Sequence, residues 1–274
     1  MLYKMFPLIE TLTSILKMNT LDRLLKKIDN APALDFGTII NDCIELFKKV
    51  WLKGFLVVLF IIIAAMLIGF LFSAIGLGVQ TDLFSNGFNF ESFSKFYSTN
   101  AIYSLPQTIL TSTLTLLFVG AFYRICKQVD LGVNESDDYF YFFKKEYFSK
   151  IFMLGIIYAA IATVAQLLFL IPYIYVFVPL SYFAIVLANN PDFSETEIIK
   201  VSFAIGNKKW LITFGTMFVA GIISMLGLLG CVIGLFFTMA FVYLPVFFIY
   251  KEVIGYQEIS EIDQIGIHDD ESNF

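Results

Sequence analysis

Histidine is almost absent from this chain. The single residue, His268, lies in an acidic C-terminal stretch. A metal site or an acid–base pair built on several imidazoles is thereby excluded, and His268 has no neighbouring group with which to act. Cysteine is nearly as scarce. Cys43 and Cys126 fall near one membrane face and Cys231 near the other, so no disulfide framework is expected, and the three read as small apolar fillers. Charge is thin at 15% of residues, and none of it sits near the middle of a long apolar run. Ionisable groups within a bilayer mark proton and ion pathways, so their absence here argues against a proton-coupled transporter. The triplet Asp269-Asp270-Glu271 reads as part of a solvated acidic tail. No basic stripe or recognition motif supports nucleic-acid binding. Met1 to Leu16 does not read as a signal peptide, because Pro7 and Glu10 interrupt its apolar run and no small-residue cleavage site follows. Met18 opens a cleaner start, so residues 1–17 read either as an upstream extension or as an amphipathic arm.

What is present is apolar. Hydrophobic residues make up 58%, including 32 Phe and 14 Tyr, above the roughly 45–50% of soluble domains. Six apolar stretches, about 55–79, 104–123, 151–170, 172–188, 211–229 and 231–250, each approach the roughly 20 residues that cross a bilayer as a helix. With the N-terminus cytoplasmic, 17 of the 18 Lys and Arg fall in cytoplasmic segments, all but Lys95. The positive-inside rule then predicts six spans with both termini cytoplasmic.

Each pair of spans is preceded by a stretch with amphipathic character. Over 35–50, Phe36, Ile39, Ile40, Cys43, Ile44, Phe47, Val50 and Trp51 recur at helical spacing. Over 137–148, Ser136 followed by Asp137 and Asp138 suits a helix start. Tyr139, Phe140, Phe143 and Tyr147 follow as an aromatic face. Over 195–207, Ser194 and Glu197 form a capping-box pattern, and Ile198, Val201, Ser202 and Ile205 supply an inner face. Each stretch ends in a Lys pair beside an aromatic: Lys48, Lys49 and Trp51; Lys144, Lys145 and Tyr147; Lys208, Lys209 and Trp210. These nine residues are predicted to anchor three helices in the membrane interface, Lys reaching phosphates and the rings resting at headgroup level.

The chain therefore reads as all-α: six transmembrane helices arranged as three hairpins, each preceded by an amphipathic interfacial helix. Residues 1–32 form an N-terminal arm, 33–256 the membrane domain, and 257–274 an acidic tail. The first hairpin carries an outer loop, about 80–103, holding Asp82 and Glu91. The other two hairpins turn at Leu170-Ile171-Pro172 and along Gly227 to Gly234. Pro172, Pro179 and Pro245 are candidate helix breaks. Hydroxyl and amide groups inside the spans, namely Gln107, Thr108, Thr111, Ser112, Thr113, Thr115 and Gln166, read first as interhelical hydrogen bonds. They read second as a polar groove for a headgroup or small substrate.

Residues 33–256 resemble the membrane-domain family of glycerophosphodiester phosphodiesterases and its YciC-like relatives, a group of bacterial six-span proteins. The resemblance rests on Asp35-Phe36-Gly37 running into Phe47-Lys48-Lys49, and on Pro172 followed by the run to Pro179-Leu180-Ser181. It also rests on Glu197 to Phe203 leading to Asn207-Lys208-Lys209-Trp210, and on the ending Leu244-Pro245-Val246-Phe247-Phe248-Ile249-Tyr250. Tyr173 stands where the family has Gly. The resemblance implies architecture and a bacterial cytoplasmic membrane, not chemistry, since the family's catalytic barrel is a separate soluble domain.

No catalytic residue, cofactor or metal ligand is assigned, and no enzymatic activity is expected. The first reading is a lipid-organising or complex-forming membrane subunit, with membrane lipids, a membrane-protein partner or a second copy as partners. The alternative is a transporter or flippase-like carrier of an amphipathic or lipid substrate. A water-filled central cavity favours the carrier; a closed apolar bundle with a long exposed seam favours the subunit.

Overall fold

The structure, a computed structural model, describes residues 20–77, 98–133, 135–168 and 170–256. The N-terminal arm to residue 19, residues 78–97 with Asp82, Glu91 and Lys95, and the tail with His268 lie outside the described residues.

All regular structure among the described residues is helical. Long apolar runs dictate this, because inside a bilayer a helix satisfies every backbone polar group within its own segment. A short α1 (20–29) precedes α2 (Phe36–Ala74). A short α3 (98–103) leads into α4 (Leu105–Leu131), and α5 (Lys145–Leu167) follows. Next come α6 (Leu170–Ser181), α7 (Phe183–Asn189) and α8 (Glu195–Lys208). The last group is α9 (Trp210–Met225), α10 (Cys231–Thr238) and α11 (Leu244–Val253). Six segments are long and apolar enough to span: α2, α4, α5, α6 continued by α7, α9 continued to Leu229, and Gly234–Val253.

Helix α4 is the hub, packing against α2, α5 and α7. Glycines set close approaches between the spans. A Cβ at Gly155 of α5 would meet Thr113 Cα at 3.0 Å, and one at Gly54 of α2 would meet Ala240 Cβ at 2.5 Å. The turn between spans five and six closes where Gly227 lies against the Gly234 backbone, a contact that leaves no room for a side chain on either.

The three amphipathic stretches do not form three equivalent interfacial helices. Residues 35–50 are the first part of one continuous helix of 39 residues, about 58 Å long at 1.5 Å per residue. That is nearly twice a hydrocarbon core of about 30 Å. Its apolar stripe is divided: Ile39, Cys43 and Val50 pack into the protein, while Phe36, Ile44 and Trp51 stay exposed. Residues 137–148 are not a helix. An irregular stretch gives way to a 3-10 turn at Tyr141–Phe143, and α5 begins at Lys145. Five consecutive aromatics, Tyr139 to Phe143, cannot share one helical face, so they fold into a knot against Phe60 and Phe118. Only 195–207 is a separate helix. The Ser194 amide donates to Glu197 Oε2 at 2.7 Å, and Ile198, Val201, Ser202 and Ile205 are buried.

One end of the bundle gathers the charges. Lys251 pairs with Asp130 at 2.7 Å and Lys53 with Asp137 at 2.7 Å. Lys27 donates to the Ile254 carbonyl at 2.8 Å, which brings α1 and the end of α11 to the same side.

Candidate functional site

Spans four and six are both broken, and the breaks follow from proline. Pro179 lacks an N–H, and its ring crowds the carbonyl four residues earlier. That carbonyl, on Tyr175, accepts the Trp210 indole N–H at 3.0 Å. Gly206 lets α8 approach so closely that an added Cβ would meet Pro179 Cα at 2.6 Å. The chain then bends at Tyr182, whose amide donates to the Pro179 carbonyl at 3.2 Å. In span six, α10 ends and a 3-10 turn, Met239–Tyr243, intervenes before Pro245 in the first turn of α11. Pro172 lies in the first turn of α6, a position where a missing donor costs nothing.

Between these breaks lies a cavity of about 670 Å³. All six spans contribute to its wall. Helix α4 supplies Ser104, Gln107, Thr108, Thr111, Ser112, Thr115, Leu116, Val119 and Tyr123. That spacing is one helical face, and from Ser104 to Tyr123 it extends about 28 Å at 1.5 Å per residue. The face is graded. Its first half is hydroxyl and amide, its second half is Leu116 and Val119, and Tyr123 stands at the charged end. Opposite stand Val58, Ile61 and Ile62 of α2, Tyr158 of α5, Ser181 of α6, Met217 of α9 and Tyr243 of the span-six turn.

The charged end of the cavity is shut. Tyr123 and Leu180 are buried there, and the Tyr123 hydroxyl donates to the Tyr243 carbonyl at 3.0 Å. Beside that contact, the Tyr182 hydroxyl lies 2.7 Å from Thr213 Oγ1. At the other end Ser104, Gln107, Thr108 and Thr111 are half-buried and in reach of solvent or lipid.

The polar wall divides into occupied and unoccupied groups. Thr108 and Thr111 donate to carbonyls one turn back, at 2.9 Å each. Ser112 bridges to the Gly155 carbonyl at 3.0 Å. Thr113 donates to Ile109 at 2.7 Å and packs on Gly155, away from the cavity. The side-chain polar groups of Gln107, Thr115 and Tyr158 and the Tyr243 hydroxyl have no hydrogen-bond partner among the described residues. All four residues line the cavity. No Asp, Glu, Lys, Arg or His is among its lining residues.

The nine expected anchors serve several ends. Lys48 pairs with Glu45 at 2.5 Å, and Lys49, Lys145 and Lys208 are exposed. Trp51 lies beside Phe237, with ring centroids 5.8 Å apart. Tyr147 stacks on Tyr141 at 5.4 Å, and Lys144 sits 4.3 Å from the Tyr141 ring centre. Lys209 is not an outward-reaching anchor. It is buried, and its amine donates to the carbonyls of Ala31 and Pro32, tying α9 to the segment between α1 and α2. Trp210 stacks on Phe214 at 5.0 Å while serving the Tyr175 carbonyl.

Tyr123, Tyr158 and Tyr243 were not singled out from sequence. Their signal is faint: tyrosine in spans otherwise filled by phenylalanine. Compared with family models, curated proteins and solved structures, the chain finds no match.

Proposed function

We propose that this chain is a carrier of an uncharged amphipathic molecule, which enters the central cavity with its polar groups against α4 and its apolar chain along α2 and α9. The observation that carries this reading is the set of unpartnered polar groups, on Gln107, Thr115, Tyr158 and Tyr243, around an apolar space of ligand size. Pockets for small molecules commonly hold about 300–1,000 Å³ and place a few polar groups in an apolar lining. These four residues are half-buried, and each hydrogen bond a ligand makes to one of them contributes about 0.5–1.5 kcal/mol net, so a ligand that meets several at once is favoured. The lack of a lining charge selects against ionic substrates, since an unpaired ion in this space costs far more. Broken helices beside a cavity also suit a carrier. A lipid-organising subunit has no use for such a wall, so the carrier is preferred over it.

The same reading includes N-in and C-in topology in a bacterial cytoplasmic membrane, from the charge distribution. It also includes architectural kinship with the membrane-domain family named above. No catalytic role is proposed.

The test is binding of a fluorescent monoacylglycerol, and of the corresponding fatty-acid anion, by the detergent-purified chain. The neutral probe should bind saturably, the anion at least tenfold more weakly. Thr111→Phe and Ser181→Phe, which fill the cavity, should abolish binding of the neutral probe while the proteins stay monodisperse. Equal binding of both probes, or full binding by the filled variants, would overturn the reading.

A further inference from the structure

A second cleft, of about 310 Å³, lies at the charged end of the bundle, lined by Arg124, Gln128, Glu135, Ser136, Asp138, Tyr141 and Lys144 among others. Successive residues of α4 serve the two sites: Tyr123 closes the central cavity, and Arg124 points into this cleft. The aromatic knot positions the cleft. Gly120 of α4 admits the Phe142 ring, which an added Cβ would meet at 3.0 Å, and Phe142 is fully buried. That contact sets the adjacent Tyr141 over Arg124. The guanidinium carbon lies 3.6 Å from the Tyr141 ring centre, and the Lys144 amine lies 4.3 Å from it. The two positive charges are therefore within about 8 Å of each other.

Neither cation is ion-paired among the described residues, in contrast to Lys48, Lys53 and Lys251. The ring holds both without using any guanidinium N–H, so all five donors of Arg124 stay available for a planar or tetrahedral oxyanion. The lining of the cleft also carries two carboxylates, Glu135 and Asp138. Glu135 accepts one bond, from the Gln128 amide at 2.6 Å, and Asp138 accepts the Phe140 amide at 3.1 Å. Both carboxylates keep further acceptor capacity. A purely anionic ligand would meet these two carboxylates, and a purely cationic one the two bases. A ligand carrying both signs meets neither conflict.

We propose that this cleft binds a zwitterionic headgroup, its phosphate on Arg124 and Lys144 and its ammonium on Glu135 and Asp138, supplied by an ammonium-bearing phospholipid such as phosphatidylethanolamine. The lipid source is favoured because apolar surface adjoins the cleft. Phe140 and Phe148 are exposed beside it, and Phe148 stacks on Phe152 along the outer face of α5 at 6.4 Å, a track for acyl chains. The site is independent of the carrier reading, since it shares no residue with the central cavity.

The test is lipid retention by the full chain, measured by native mass spectrometry after delipidation and titration with defined lipids. Phosphatidylethanolamine should be retained at least about tenfold more tightly than phosphatidylglycerol, the loss expected when one charge-assisted contact is missing. Arg124→Gln and the exposed-site variant Lys144→Gln should each lower retention of phosphatidylethanolamine. Glu135→Gln with Asp138→Asn should erase the preference while leaving phosphatidylglycerol binding equal or stronger. Glycerophosphoethanolamine, the same headgroup without chains, should fail to compete at comparable concentration; full competition would overturn the lipid source. Equal retention of both lipids by the unaltered chain, or wild-type retention by both Arg124→Gln and Lys144→Gln, would overturn the site. Lys144→Gln keeps the test valid if Arg124→Gln does not fold.

Discussion

Adding one methyl group at Gly54 should be felt chiefly as a clash with a single carbon neighbour. Its missing side chain lets the span-six 3-10 turn press on α2, and an added Cβ would sit 2.5 Å from Ala240 Cβ and 3.3 Å from Phe122 Cζ. Ordinary contact between such carbons is about 3.5–4.0 Å, so Gly54→Ala demands a separation of roughly 1 Å. Ala240 is fully buried in a turn that bears Tyr243 and Met239 on the cavity wall. Overpacking of this kind costs about 1–3 kcal/mol. It is offset by the roughly 0.5–1 kcal/mol that Ala gains over Gly inside a helix. A net loss of about 1–2 kcal/mol is expected, seen as a lower midpoint in thermal unfolding in detergent. Gly221→Ala supplies the control. It lies in α9 with nothing within 4 Å of its added Cβ, so it should be neutral or stabilising. The clash has one principal partner, which makes a double-mutant cycle decisive. Ala240→Gly in the Gly54→Ala background should recover more stability than Ala240→Gly costs alone. Additive effects, or a Gly54→Ala protein as stable as its parent, would refute the close-approach account.

Lys209→Met should detach the segment joining α1 to α2, since a buried amine with two carbonyl acceptors is replaced by a side chain with no donor. A loss of about 1.5–3 kcal/mol is expected, read as lower thermal stability together with protease cleavage near residues 30–35. Tyr256 lies past the last span, and its hydroxyl donates to Asp130 Oδ2 at 2.8 Å. Burial first, and then this bond, raise its pKa well above the ordinary phenol value. A folded-state pKa that is raised leaves the stabilisation intact below the unfolded value of about 10 and removes it as pH climbs beyond. Asp130→Asn should therefore bring forward one phenolate absorbance step in alkaline titration; an unchanged titration would show that Asp130 does not hold the proton. Reporter fusions after Asn89 and after Gly255 should lie on opposite sides of the membrane. The same side for both would remove the six-span topology.

The spans were legible because bilayer physics writes them in long apolar runs, and five of the six begin or end within about three residues of the expected limits. The amphipathic stretches were less legible, because a helical stripe does not say whether lipid or protein covers it. Ile39, Cys43 and Val50 are buried against neighbouring elements, while Ile44 and Trp51 of the same stripe stay exposed, Trp51 with one ring contact to Phe237. Paired lysines carry the same ambiguity. Lys208 is exposed and Lys209 buried, and one residue of helical rotation, about 100°, decides which of them meets a partner. The knot at 139–143 shows a third limit: aromatic periodicity resembling a helix face was overridden by a buried docking site at Gly120.

The polar residues of α4 were visible as a list but not as a wall, and the reason is that their two readings are both correct at different positions. Thr108, Thr111 and Thr113 satisfy their own helix, which any isolated transmembrane segment with hydroxyls can do. Gln107 and Thr115 share the same stretch, yet their side chains have no hydrogen-bond partner among the described residues. What separates them is the surroundings that span-four and span-six breaks create. Pro179 bends α6 away at Ser181, the 3-10 turn withdraws the backbone at Met239–Tyr243, and the space so opened stands against α4. Proline in one span and hydroxyls in another thus become a single site only through packing. The charge asymmetry completes the picture. Charged residues cluster at the end where Tyr123 and Tyr243 close the cavity, and neutral polar groups mark the end where it opens. A carrier built this way must break the Tyr123–Tyr243 contact to release toward the charged side. Tyr123→Phe, which deletes one hydrogen bond and keeps the ring, is therefore expected to change transport rate more than probe affinity.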